Sequence, residues 1–183
     1  RAHDTNVSWF GSSYAYIKLH VRVPARLAIE IADSSGDASI SAVAAANFEA
    51  SSGDLEVHHV AGPLTLKVSS GDVTGEDLGS VDVHATSSGD IHLRDVRGDV
   101  TVARSGSGDL TFDNVGGAVS IGSVGSGDVG VSRVTGDVSV DSIGSGDVNV
   151  NAVGGKFTVR SKGSGDVAYR GVHGTVSVPR ERD

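Results

Sequence analysis

The sequence predicts an all-β protein that folds as a single-stranded parallel β-helix, a right-handed solenoid of about 8–9 coils of roughly 17–19 residues. Three observations predict it: a tripeptide repeat, an alternation of apolar residues inside each repeat, and a shorter glycine period. The tripeptide is Ser-Gly-Asp, with glycines at Gly36, Gly53, Gly71, Gly89, Gly108, Gly127, Gly146 and Gly165. Their spacings of 17, 18, 18, 19, 19, 19 and 19 residues indicate one small unit stacked repeatedly along an axis.

Each repeat contains two short strands. Counting from the Asp, apolar residues occupy the first, third and sixth positions that follow, and then the tenth and twelfth. In the repeat of Asp109 these are Leu110, Phe112, Val115, Val119 and Ile121. Such alternation predicts strands with one buried face, and glycines nine or ten residues apart predict a turn after each strand. We expect Gly at these turns because tight bends often require a positive φ.

Stacking of equivalent positions favours a solenoid over an antiparallel meander. In a solenoid each repeat makes one coil, so that Val lies on Val along the axis, whereas hairpins would not bring equivalent residues together. The usual handedness of parallel crossover connections favours right-handed coils. No helical period of 3.6 residues accompanies the alternation, which leaves the prediction all-β.

We expect a single domain over residues 1–183, with residues 24–178 forming the coils. Residues 1–23 hold an aromatic cluster, followed by an alternating strand over 14–23, and predict an N-terminal cap and first strand. A ligand platform is the alternative interpretation of those aromatic side chains. At the other end, Pro179 and the charged residues to Asp183 form a tail that discourages further strand pairing.

Composition excludes several classes of function. The formal net charge is −8, which disfavours binding to nucleic acid and to anionic lipid because both need a basic surface. No apolar run approaches the roughly 18–20 residues that cross a membrane. Cysteine is absent, which fits a reducing compartment or a cysteine-avoiding envelope protein. No nucleotide-binding or nucleophile motif is present, so no cofactor is predicted.

The repeated Asp residues form a column if the coils stack in register. Two carboxylates about 5 Å apart repel by roughly 1 kcal/mol in water, so the column needs compensation. Backbone N–H groups of each Asp's own turn would supply it, and we favour this structural role. The alternative is Ca²⁺ between coils, as in calcium β-rolls, although their G-G-x-G-x-D spacing is missing. The candidate metal ligands are Asp109, Asp128, Asp147 and Asp166.

Only one stretch of the sequence suggests catalysis. Glu76 and Asp77 are the acids that depart most from the repeat, and a glycoside hydrolase needs an exceptional carboxylate pair. The fourth position after each Asp places Glu76 beside His58 and Arg94. His59, Asp77 and Asp95 follow at the fifth position. A solvated face with charge pairs between coils explains these residues more simply, so we predict no catalytic residue.

The segment Val21–Pro24 and the repeated S-G-D-[VLI]-x-[VLF] units resemble a bacterial family of β-strand-repeat proteins that is labelled adhesin and has no defined function. The resemblance covers roughly residues 17–178. It implies a parallel β-helix and an extracytoplasmic setting after a cleaved signal peptide, which would also explain a chain that begins at Arg1. It implies no catalytic residues. A non-enzymatic scaffold that presents a long face to a glycan or protein partner is therefore expected, with a carbohydrate-active enzyme and a structural spacer as alternatives.

Overall fold

A computed structural model describes residues 26–179, which form 17 strands. The strands are β1 Ala28–Ser35, β2 Ala38–Val43, β3 Ala45–Ser52, β4 Leu55–Val60, β5 Leu64–Ser70, β6 Val73–Leu78, β7 Val81–Ala85, β8 Ile91–Val96, β9 Val100–Ser105, β10 Leu110–Val115, β11 Val119–Val124, β12 Val129–Val134, β13 Val138–Ile143, β14 Val148–Val153, β15 Phe157–Lys162, β16 Val167–Val172 and β17 Val176–Ser177. No helix occurs between residues 26 and 179, as the sequence predicts.

The strands form two parallel sheets. The odd-numbered strands make a nine-stranded sheet and the even-numbered strands an eight-stranded sheet, each in sequence order. One coil therefore consists of one strand from each sheet. Equivalent residues are in register, as where Val129 pairs with Val148 and Val131 with Val150. This arrangement confirms the parallel β-solenoid, and at about 4.8 Å per coil its eight coils extend roughly 40 Å.

The core contains one more column of side chains than the sequence predicts. In the repeats of Asp90, Asp109 and Asp128 the five expected positions are buried, and so is the fifteenth after Asp, for example Val124 and Ile143. Two polar residues, Thr86 and Ser105, are also buried at this column. Their hydroxyl groups donate to the carbonyl of the Ser-Gly-Asp glycine three residues later, at 3.3 and 3.2 Å. The hydrogen bonds make polar side chains acceptable in the core because neither hydroxyl is left without a partner.

A column of left-handed residues explains why the alternation skips from the third position to the sixth. The fifth residue after each Asp has φ between 53° and 64° in all eight repeats. The members are Ala42, His59, Asp77, Asp95, Asn114, Arg133, Ala152 and Gly171. This kink turns two successive residues outward before the chain re-enters the core. Asn and Asp tolerate the conformation best among residues with a side chain, which accounts for three of the eight.

The expectation of positive φ at the Ser-Gly-Asp glycines is wrong for most of them. Only Gly36, Gly53 and Gly71 have it. From Gly53 onward the glycines instead stack on one another, and a Cβ on any of them would lie well under 3.0 Å from the carbonyl oxygen of the preceding glycine in the column. From Gly89 onward, Gly is therefore required by the close approach between the backbones of adjacent coils and not by the conformation of the turn, whereas at Gly53 and Gly71 both favour it.

The two ends of the described solenoid expose some core positions. In the first coil Leu27 is 48% exposed, and Ile29 and Ile31 in the predicted strand before the first repeat are half-buried. In the last coil Tyr169 is 53% exposed, although its ring packs against Phe157 of the opposite sheet, with centroids 5.9 Å apart. The predicted cap and strand of residues 1–23 lie outside the described residues, as do residues 180–183.

Arg97 bridges a turn that is one residue shorter than its neighbours. Between β6 and β7 only Gly79 and Ser80 form the turn, whereas three residues form it in the coils on either side. Elsewhere the last residue of the strand accepts an N–H from the next coil, as Leu78 does from Arg97 at 2.9 Å. The carbonyl of Val60 instead accepts a hydrogen bond from the side chain of Arg97, whose Nη2 lies 2.9 Å away.

We expect Arg97→Met to lower the free energy of unfolding by about 1 kcal/mol, because it removes charge-assisted hydrogen bonds while keeping an aliphatic chain. The guanidinium contacts the carbonyl groups of Val60 and Leu78. The control is Arg94→Met, which removes an exposed contact with Glu76 at 3.9 Å and should change stability by less than about 0.5 kcal/mol. Urea unfolding measures both. Equal losses in the two variants would contradict the bridging role.

Candidate functional site

The outer face of the eight-stranded sheet carries the residues that the sequence singles out. Its side chains come from the second, fourth and fifth positions after each Asp. The structure confirms the predicted alignment, because His58 pairs with Glu76 and Glu76 with Arg94 in the strand register. This face is therefore the place to look for convergent chemistry.

Contacts with His58 and Arg94 on the adjacent coils engage Glu76. Its Oε2 lies 3.9 Å from Nδ1 of His58 and 3.9 Å from Nη2 of Arg94. His58 also contacts Oε1 of Glu56 through Nε2 at 3.0 Å. The result is a line of alternating groups across strands β4, β6 and β8. At 44% side-chain exposure Glu76 remains in contact with solvent, which is the environment of a surface ion pair.

Asp77 is engaged in the same way at the fifth position. Its Oδ2 lies 4.0 Å from Nε2 of His59, and its Oδ1 lies 3.6 Å from Nη1 of Arg97. The next residue in the column, Asp95, accepts a hydrogen bond from Nδ2 of Asn114. Each carboxylate of this stretch thus has a partner on an adjacent coil. These contacts link neighbouring coils at an open face, where exposed pairs add little to stability.

The Asp column is held by hydrogen bonds between coils. In every pair the backbone N–H of one column Asp donates to Oδ1 of the Asp in the preceding coil, over 2.8–3.2 Å, from Asp37 through to Asp166. The partner lies one coil later rather than in the same turn, which corrects the expected Asx-turn geometry. The same bond recurs at the opposite corner, where Asp99 accepts from Ala118 and Asp137 from Lys156.

These bonds bear on the calcium alternative. Asp109, Asp128 and Asp147 each direct one carboxylate oxygen at a backbone N–H 2.8 Å away, and Asp166 lies at the C-terminal end of the column. Within residues 26–179 no three His, Asp or Glu side chains are grouped closely enough to hold a metal ion. A carboxylate that accepts an N–H has a hydrogen-bond partner without a cation. These hydrogen bonds support a structural role for the repeated Asp, and calcium binding stays a prediction.

We expect Asp128→Ala to lower the free energy of unfolding by about 1 kcal/mol, because the N–H of Asp147 loses its acceptor. Asp128→Asn keeps an acceptor oxygen and removes one charge from the column, so its stability should stay within about 0.5 kcal/mol of the parent. Thermal melting followed by circular dichroism measures both variants.

The same melts, repeated with EDTA and with added Ca²⁺, test the alternative. We expect the parent protein to melt at the same temperature in all three solutions. A large drop in EDTA that Ca²⁺ restores, together with a damaging Asp128→Asn, would show that the column is a calcium site.

A groove farther along the same face escaped the sequence analysis. It has a volume of about 460 Å³ and is lined mainly by the outer residues of β12, β14 and β16, among them Gly130, Ser132, Asn149 and Asn151. It exists because Gly130 interrupts the column of outward side chains between Thr111 and Asn149. The signal in the sequence is a Gly at a strand position where the neighbouring repeats carry a side chain.

Comparison with known proteins adds the family. Among the described residues no helix is long and apolar enough to cross a membrane. Neither the curated proteins nor the solved structures contain a match. The family model described as Toastrack DUF4097, a repeat family of unknown function, matches residues 1–178. The match supports a β-repeat family without a defined function and carries no adhesin label. The chain belongs to the Toastrack DUF4097 family.

Proposed function

We propose that this chain is a non-enzymatic, extracytoplasmic scaffold that binds a partner along the outer face of its eight-stranded sheet, in the manner of an adhesin. One observation carries the proposal: the inward side chains form one continuous buried core, while polar side chains lie along the open outer face of the eight-stranded sheet. A surface of this form offers a long row of contacts to an extended partner. It offers no enclosed site that would exclude water.

The pairing of the acids supports binding over catalysis. Glu76 and Asp77 face neighbouring cationic or histidine side chains across coils, and both are 44% exposed. In a retaining or inverting glycosidase the two carboxyl groups have different environments, so that one is protonated and acts as the acid while the other is ionised. Glu76 and Asp77 instead share one kind of environment, since both lie on a solvated face beside cationic or histidine side chains. A carbohydrate-active enzyme at Glu76 and Asp77 is the runner-up.

The resemblance of the repeats implies an extracytoplasmic location, and the absence of cysteine is compatible with it. A rod of stacked coils without cysteine suits that setting, because it has no thiol to oxidise. We therefore expect its partner at the cell surface, either a glycan or a protein.

Binding and turnover should be measured on the same samples. The purified chain is incubated with intact bacterial cells, envelope polysaccharides and envelope proteins, and both retained protein and released sugar are quantified. We expect saturable retention without released sugar. Released reducing sugar that disappears in Glu76→Gln would replace the scaffold by the enzyme, and an absence of saturable binding to any of the three would contradict the proposal.

A further inference from the structure

The outer face of the eight-stranded sheet changes character along the solenoid. Over β4–β8 it carries charges that pair between coils, such as Glu76 with Arg94. Over β12 and β14 it is neutral at the second and fourth positions. Those positions hold Gly130, Ser132, Asn149 and Asn151. In the charged half the side chains pair with one another, whereas the neutral half presents amide groups around the groove described above.

The two Asn side chains are available for a ligand. In the register Asn149 lies between Gly130 and Ala168, so small neighbours leave its amide standing alone on both sides. Asn151 lies between Ser132 and Arg170. Within the described part of the chain neither amide takes part in a hydrogen bond, and both residues are exposed. Each primary amide carries two donor hydrogens and an acceptor oxygen.

We propose that this groove binds a neutral, extended polysaccharide, an inference that rests on the proposed scaffold function and names its site and ligand class. A hydroxyl group is both donor and acceptor, and so is a primary amide, which makes a row of sugar hydroxyls the matching partner. The amides of Asn149 and Asn151 would bind hydroxyl groups of sugars lying in the groove. The shallow, open shape suits a chain that lies along the surface.

Charge selects the neutral class. The protein has a formal net charge of −8, which repels acidic polysaccharides at a distance. Near the groove the guanidinium of Arg133 pairs with Asp113, which leaves Arg170 as the cation lining its end. One guanidinium does not offset the field of the whole chain. An uncharged glycan approaches without this penalty and gains hydrogen bonds once it arrives.

Gly130 provides a way to close the groove without disturbing the fold. A Cβ at this position would meet its nearest atoms, Oγ1 of Thr111 and the carbonyl oxygen of Leu110, at 3.9 and 4.0 Å. Its φ is outside the left-handed region. Gly130→Val therefore adds a β-branched side chain, which suits a strand, directly into the space that the polysaccharide would occupy.

The test measures binding of soluble neutral polysaccharides (β-glucan, mannan, galactan) and acidic ones (alginate, polygalacturonate) by calorimetry. The variants are Gly130→Val and the double variant Asn149→Ala/Asn151→Ala. The matched control is Asn47→Ala, which removes an exposed amide from the outer face of the nine-stranded sheet. Circular dichroism melts establish that all variants remain folded.

We expect at least one neutral polysaccharide to bind, with a loss of about tenfold or more in both groove variants and none in Asn47→Ala. Absence of binding to every neutral polysaccharide would overturn the inference, as would tighter binding of the acidic ones. Unchanged binding in the groove variants would also overturn it. In each case the scaffold proposal is judged separately by retention on cells and envelope proteins.

Discussion

Gly127→Ala is expected to abolish folding or to lower the free energy of unfolding by about 4 kcal/mol or more, a size reserved for a few mechanisms. The Cβ would lie well under 3.0 Å from the carbonyl carbon and oxygen of Gly108 in the preceding coil. Both obstacles are backbone atoms, held by the hydrogen bonds that join the coils. No side-chain rotation relieves the clash, so the coils must separate.

The control lies three residues away on the same coil. Gly130→Ala places a methyl group at ordinary van der Waals distance from its nearest neighbours and at an ordinary φ, and we expect stability to stay level or rise by up to about 1 kcal/mol. Urea unfolding followed by circular dichroism, with expression level as a second readout, compares the two. A Gly127→Ala protein as stable as Gly130→Ala would show that the glycine column is not required by packing between coils.

The spacing of the repeats was enough to predict the two-strand coil and the parallel stacking. When the same residue types recur at a fixed spacing, the simplest fold stacks the repeats so that equivalent residues lie on each other. The left-handed position was not predicted, because in the sequence Asp77, Asp95 and Asn114 look like ordinary surface residues. The positive φ was instead assigned to glycines. Those glycines are required by contacts between coils, which no local pattern reveals.

The candidate site was predicted only in part. Counting from each Asp correctly placed His58, Glu76 and Arg94 side by side, because register follows from the period. Two features depend on departures from the period and were missed. Because the turn between β6 and β7 is one residue short, the Val60 carbonyl accepts a hydrogen bond from the side chain of Arg97. Because Gly130 has no side chain, a groove lies beside it. The effect of a missing side chain or a shortened turn cannot be predicted from one repeat, because it depends on which residues lie on the adjacent coils.

Phe112→Ala is expected to lower the free energy of unfolding by about 3–5 kcal/mol. Phe112 is fully buried and is one of the three largest side chains in the core, in register with Leu93 and Val131 on adjacent coils. Its removal leaves a cavity in the middle of the rod. The two neighbours cannot close it, because hydrogen bonds to further coils fix their strands. The midpoint of urea unfolding measures the loss.

The position of the cavity should also change how the protein unfolds. A solenoid unfolds cooperatively because adjacent coils stabilise each other. If one interface is weakened, the two halves of the rod can unfold at different denaturant concentrations. We expect Phe112→Ala to unfold in two steps, with hydrogen exchange accelerated first in β8, β10 and β12. Phe112→Leu fills most of the cavity and should cost about 1 kcal/mol with a single transition. A single sharp transition in Phe112→Ala, shifted by the full amount, would instead mean that coupling extends beyond neighbouring coils.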